Sequence, residues 1–129
     1  MNQLMKSWSP QILSVVRIVS AFLFMQHGGQ KLFGFPAAQR YPFDIFSLSG
    51  VAGVLELFGG ALLLIGLFTR PVAFVLSGLM AFGYFIAHAP KGFWPLLNGG
   101  ELAIMFCFVF LYISAAGGGP WSVDSMRRR

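Results

Sequence analysis

The chain is predicted to be an all-α integral membrane protein: a four-transmembrane-helix bundle forming one membrane domain over residues 1–129, with both termini cytoplasmic. Three observations carry this reading. Hydrophobic residues make up 57% of the chain and charged residues only 10%, at a mean hydropathy of +0.74, whereas soluble domains carry roughly 25% charged residues. Four apolar stretches of about 17–21 residues are each long enough to cross a hydrocarbon core of about 30 Å. Four crossings return both termini to one side. That side carries Lys6, Arg70 and Arg127 to Arg129, the other Lys31, Arg40 and Lys91, and the positive-inside bias makes the richer side cytoplasmic.

The first helix is expected over about 10–27, with Pro10 suited to a first helical turn. Lys6 before an apolar run imitates a signal peptide, but Arg17 interrupts the run and no A-x-A-like cleavage site follows, so the segment reads as a retained span. Residues 28–50 form the longest connection, rich in Gly, Pro and Phe, and suit the membrane interface as an amphipathic half-helix or a partly re-entrant loop. The second helix is expected over about 48–68. Thr69-Arg70-Pro71 then turns the chain into a third helix, to about His88. A rigid interfacial connection, Ala89 to Pro95, leads to a fourth helix over about 98–116, stopped by Gly117-Gly118-Gly119-Pro120.

The net charge of +5 does not point to nucleic acid, because the cations are scattered between apolar runs. The terminal arginines read as a topology signal and a contact for anionic lipid heads. With Cys107 the sole cysteine, neither an intrachain disulfide nor a cysteine-rich metal site can form.

Charges inside the apolar runs are the informative residues, since an ionised side chain within a bilayer costs a few kcal/mol or more unless it is paired, snorkels or faces water. Arg17 has Leu13, Ser14, Ser20 and Ala21 as its helical neighbours; Glu56 has Ala52, Gly53, Gly59 and Gly60. Small residues let transmembrane helices approach closely, so both charges are expected on packing faces. Rising from opposite sides at 1.5 Å per residue, they come within about 8 Å along the membrane normal, and an Arg17–Glu56 ion pair is predicted. Such a pair serves equally as a binding site or as a purely structural clasp that fixes register. Asn98 and Glu101 have capping-box spacing, so Glu101 either caps the fourth helix or joins Arg17 as a second carboxylate.

Further polar groups fall at the end of the bundle away from the termini. His27, Gln30 and Lys31 share a face if the first helix continues that far, and Ser77, Ala81, Tyr84 and His88 form a stripe on the third. Together with Asn98 they suggest a polar vestibule with Arg17 at its floor. Two histidines and two glutamates are present, but no H-x-x-x-H or E-x-x-H spacing supports a metal, and none is expected.

Three stretches, RIVSAFLFMQHGGQKLFGF, VLELFGGALLLIGLFTRPVA and NGGELAIMFCFVFLYISAAGGGPWSVD, resemble the signature stretches of the DoxX family. The resemblance rests on Arg17 with Gly28 and Lys31, on Glu56 with Gly59 and Gly60, on Asn98, Gly100 and Glu101, and on Ser122 and Asp124. Pro120-Trp121-Ser122 stands where the pattern usually has a second glycine. It implies a four-helix protein of the bacterial inner membrane. Some relatives are subunits of a thiosulfate–quinone oxidoreductase; others are linked to oxidative-stress complexes, and distant eukaryotic relatives act as cargo receptors or assembly factors.

The expected function is therefore that of a membrane subunit or anchor of an oxidoreductase system, with a polar pocket for a quinone or another small ligand. Arg17 and Lys31 would hold ligand oxygens, Glu56 and Glu101 would orient Arg17 and relay protons, and His27 or His88 would donate from the rim. No flavin, haem or iron–sulfur motif is present, so the chain is not expected to be an enzyme on its own or to carry electrons without redox protein partners. The alternative is a non-enzymatic adaptor or assembly factor that recruits a partner through loops 28–50 and 89–97. Solute transport would require a homo-oligomer.

Overall fold

The computed structural model describes residues 2–39, 42 and 44–128; Arg40 and Arg129, counted above among the topology charges, lie outside them. The described residues contain helices and turns and no strand. The elements are α1 (Asn2–Phe33), α2 (Leu48–Ile65), α3 (Thr69–Ala87), α4 (Pro95–Asn98), α5 (Glu101–Ala116) and α6 (Val123–Arg127), with a 3-10 turn at Ala89–Lys91. Three of the helices, Asn2–Phe33, Leu48–Ile65 and Thr69–Lys91, are long and apolar enough to cross a membrane. The helix expected to be the fourth span is shorter: α5 has 16 residues, a rise of about 24 Å.

The element ends differ from the sequence expectation for identifiable reasons. The first helix runs through Pro10 and continues to Phe33, so Gln30 and Lys31 do lie on it. The second stops at Ile65, three residues earlier than expected, because Gly66 takes the left-handed conformation (φ 73°, ψ 39°). The Gly66 and Leu67 amides then donate back to the Leu63 and Leu62 carbonyls at 3.1 and 2.9 Å, the Schellman closure that glycine permits. The expected fourth helix is broken at Gly99 (φ 76°), which separates the single turn of α4 from α5.

The helices pack in the cyclic order α1, α2, α3, α5. Buried positions on α1 are Ser14, Arg17, Ala21, Phe24 and Gly28, a stripe at spacings of three and four. On α2 they are Gly50, Gly53, Glu56, Gly60 and Leu63, the small-residue face anticipated above. Phe24 meets Phe106 and Phe110 edge-on at 5.3 and 4.9 Å between ring centroids, and this aromatic cluster joins α1 to α5 at the centre of the core. Outside, Val19, Phe22, Phe58, Phe74, Phe82 and Phe108 are exposed. Such an apolar exterior suits lipid rather than water.

The register of α1 against α2 is fixed by close approach at Gly28. A Cβ there would lie 2.7 Å from the Leu57 amide nitrogen and 2.8 Å from the Gly53 carbonyl oxygen. Gly60 correspondingly lies against Met25 and Ala21, and Gly66 against the Arg17 guanidinium. In this antiparallel pairing residue 28 is level with Glu56, and residue 17 with the end of α2.

Candidate functional site

That register decides which charges meet. Arg17 stands 11 positions from Gly28, or about 16 Å along the helix axis, so the predicted Arg17–Glu56 pair does not form. Both charges are buried, at 1% and 2% exposure, but each has a different partner from the one expected. Glu56 Oε1 pairs with Lys31 Nζ at 2.5 Å, while Glu56 Oε2 has no hydrogen-bond partner among the described residues. Lys31 reaches this carboxylate because α1 extends past His27; its side chain is about one third exposed, an aliphatic stem buried along the helix with its ammonium near the edge.

Arg17 instead closes the terminal end of the bundle. Its Nη1 donates to the Gly118 carbonyl, and its Nη2 to the carbonyls of Trp121 at 2.7 Å and Leu64 at 3.4 Å. Ser14, one turn earlier, donates to the Gly118 carbonyl at 3.0 Å and accepts from the Trp121 amide at 3.1 Å. A guanidinium among carbonyls at the C-terminal end of α2 is also favoured by the helix dipole. Arg70 does the same for α5, donating to the carbonyls of Ser114 and Ala115.

Asp124 completes this end. Its two carboxylate oxygens accept from the backbone amides of Phe68 and Thr69, each at 2.9 Å. It thereby caps α3 from another element, where the N-cap residue Phe68 offers no side-chain acceptor. Partial burial pushes the Asp124 carboxyl up, but the Thr69 amide and side chain, the Phe68 amide and the positive charge of Arg128 outweigh it and hold it below the usual carboxylate range.

At the opposite end, Tyr84, His88 and Asn98 come together. Asn98 is 2% exposed. Its Nδ2 donates to the Tyr84 hydroxyl at 3.0 Å and to the Gly92 carbonyl at 2.9 Å, while its Oδ1 accepts from the Gly100 amide at 2.8 Å. The Tyr84 hydroxyl, as acceptor from Asn98, keeps its own proton for another partner. His88 stacks on Tyr84 at 6.2 Å, and its Nδ1 lies 3.1 Å from the Asn98 carbonyl. A carbonyl can only accept, so this nitrogen carries the proton. Tyr84, Phe85, Pro90, Gly92, Phe93 and Pro95 line a groove of about 510 Å³ beside this cluster.

The capping box expected at Asn98 and Glu101 is absent. Helix α5 begins at Glu101 itself, with Gly100 as its N-cap and no side-chain cap bond. Glu101 is exposed, and among the described residues no hydrogen bond or ion pair joins it to Arg17. His27 is half-buried, its ring edge-on to Phe106 at 6.1 Å. The single vestibule with Arg17 at its floor is thus replaced by two polar ends. The sequence marks Ser14 only as a packing neighbour of Arg17, Arg70 only as a topology charge and Asp124 only as part of the family resemblance; that all three close helix ends is set by the fold. No group of three His, Cys, Asp or Glu side chains suited to a metal occurs among the described residues.

The model of the DoxX family matches residues 12–89. A protein of Haemophilus influenzae, described as uncharacterized, is 42% identical over 130 residues, covering 97% of this chain and 96% of its own. No solved structure matches the chain.

Proposed function

This chain belongs to the DoxX family, and from that premise we propose that it is a four-span inner-membrane subunit or anchor of an oxidoreductase system, holding a quinone headgroup at the end away from its termini. The supporting observation is the groove beside Tyr84. A quinone ring needs a flat apolar slot and a donor for a carbonyl oxygen. Phe85 and Phe93 supply the first; the uncommitted Tyr84 proton, on a hydroxyl oriented by Asn98, supplies the second.

In this reading His88 and Asn98 position Tyr84. Lys31 and Glu56, with His27 one turn from Lys31, form a second polar set at the same end of the bundle, and the unpartnered oxygen of Glu56 is its proton acceptor. Glu101 stands at the rim, where α5 begins. Arg17 is withdrawn from ligand binding, since Gly118, Trp121 and Leu64 take its terminal donors. Cytoplasmic termini fit the charge balance: Lys6, Arg70, Arg127 and Arg128 stand at the terminal end, against Lys31 and Lys91 at the other.

The test is titration of ubiquinone and menaquinone analogues into nanodiscs holding the wild type or Tyr84→Phe. Saturable binding, weakened roughly fivefold by loss of one hydrogen bond worth about 1 kcal/mol, is expected. Non-saturable partitioning that is the same in both proteins would overturn the proposal.

A second reading, a non-enzymatic adaptor, draws on a different observation. Phe35 and Phe46 in the α1–α2 connection and Phe93 and Trp94 before α4 are all exposed, Phe46 at 92%. Purification in gentle detergent with a stoichiometric soluble partner, lost on Phe46→Ser or Trp94→Ser, would favour it over the quinone site.

A further inference from the structure

The cleft at the terminal end has no part in the proposal above. It has a volume of about 580 Å³ and lies between the start of α1 and the α5–α6 connection. Two guanidinium groups, Arg70 and Arg128, line it, and among the described residues no carboxylate does. Arg70 is held in place through Nη1 by the Ser114 and Ala115 carbonyls; its Nε and Nη2 make no hydrogen bond among the described residues. Arg128 is exposed and makes no ion pair within the described residues. The acidic residue nearest in sequence, Asp124, feels the Arg128 charge but has both oxygens committed to the amides that start α3, which leaves the Arg128 donors open. The remaining wall is apolar, with Ile12, Val16 and Tyr112, and it continues into the exposed outer surface of Val19 and Phe108.

We propose that this cleft binds the phosphodiester headgroup of an anionic phospholipid. A phosphate oxygen is the ligand that two guanidinium forks recognise best. Arg70 and Arg128 meet the phosphodiester while the acyl chains follow Val16 and Tyr112 into the bilayer. A free phosphate has the same headgroup chemistry but makes no use of the apolar wall. The third cation of this end, Arg127, is directed elsewhere, its guanidinium carbon 5.3 Å from the centroid of the Phe68 ring. That difference separates a built site from diffuse attraction to a charged surface.

The experiment places the full chain in phosphatidylcholine nanodiscs with increasing fractions of phosphatidylglycerol and reads lipid retained by native mass spectrometry alongside the thermal midpoint. Retention should saturate. Arg128→Gln should weaken it roughly fivefold, as for one cation near a membrane surface, and Arg127→Gln by less than about twofold. Arg70→Gln lowers stability through α5 as well, so its readout is the rise in midpoint on adding phosphatidylglycerol, which should be lost. Equal losses in Arg127→Gln and Arg128→Gln, or retention that never saturates, would overturn the site. Millimolar inorganic phosphate in phosphatidylcholine alone should leave the midpoint unchanged; a rise matching that from phosphatidylglycerol would overturn the lipid as its occupant.

Discussion

Lys31→Met is the sharpest perturbation of the polar centre. It leaves the Glu56 carboxylate, 2% exposed and already without a partner at Oε2, with no partner at either oxygen. Breaking a buried pair from one side costs about 3–5 kcal/mol. One feature of the site reduces that figure. The Lys31 side chain is 34% exposed, so water already shares its solvation. A loss of about 2–3 kcal/mol is therefore expected at pH 7. Replacing both partners, Lys31→Met with Glu56→Leu, should recover most of the loss, since no orphaned charge remains. The assay is reversible unfolding in mixed detergent micelles, read by helical circular dichroism. Lys91→Met, at an exposed position without an ion pair among the described residues, is the control. A Lys31→Met loss no larger than that of the control, or a double variant worse than either single one, would refute the reasoning.

Gly28→Ala should destabilise the chain by about 1–3 kcal/mol, because the new methyl meets backbone atoms of α2 at 2.7 and 2.8 Å. Gly78→Ala, with nothing within 4 Å of its added Cβ, should be neutral or slightly stabilising in the same unfolding assay. Asp124→Ala should cost about 1 kcal/mol as a lost helix cap. Because the Asp124 carboxyl is held low when folded, its stabilisation is fully present above its ordinary value near 3.9 and is lost as pH falls through the lower folded value. The gap between wild type and Asp124→Ala should therefore be flat from neutral pH down to about 5 and close only below about 4, which an unfolding series across pH would show. Arg17→Met orphans the Trp121 carbonyl and should cost about 2–4 kcal/mol, yet the folded fraction should titrate quinone analogues as the wild type does. Loss of ligand binding in well-folded Arg17→Met would return Arg17 to the site.

The two ends of the bundle hold their charges by different physics. At the terminal end, Arg17, Arg70 and Asp124 satisfy backbone groups that helix ends leave open: carbonyls at the ends of α2 and α5, and amides at the start of α3. Those side chains close the fold. At the other end, the Tyr84 proton and one Glu56 oxygen remain uncommitted, and for that reason the proposed chemistry is placed there.

Much of this was determined by the sequence alone. The apolar runs specify helices in lipid, and three- and four-residue spacing of small side chains around Arg17 and Glu56 specifies which faces pack, because helical periodicity is a local property of the chain. The stripe of Tyr84 and His88 was legible for the same reason, but that the Asn98 amide reaches the Tyr84 hydroxyl instead of capping α5 was not. The partners of the charges were not legible. Whether Glu56 meets Arg17 or Lys31 depends on axial register, and the register follows from how closely two helices approach at Gly28, a contact between residues far apart in sequence. The early end of α2 depends on Gly66 turning left-handed against Ser122, also a tertiary fact. The carbonyls of Leu64, Gly118 and Trp121 had no sequence signature at all. Every residue carries a carbonyl, and only the folded backbone determines which of them stand around an arginine.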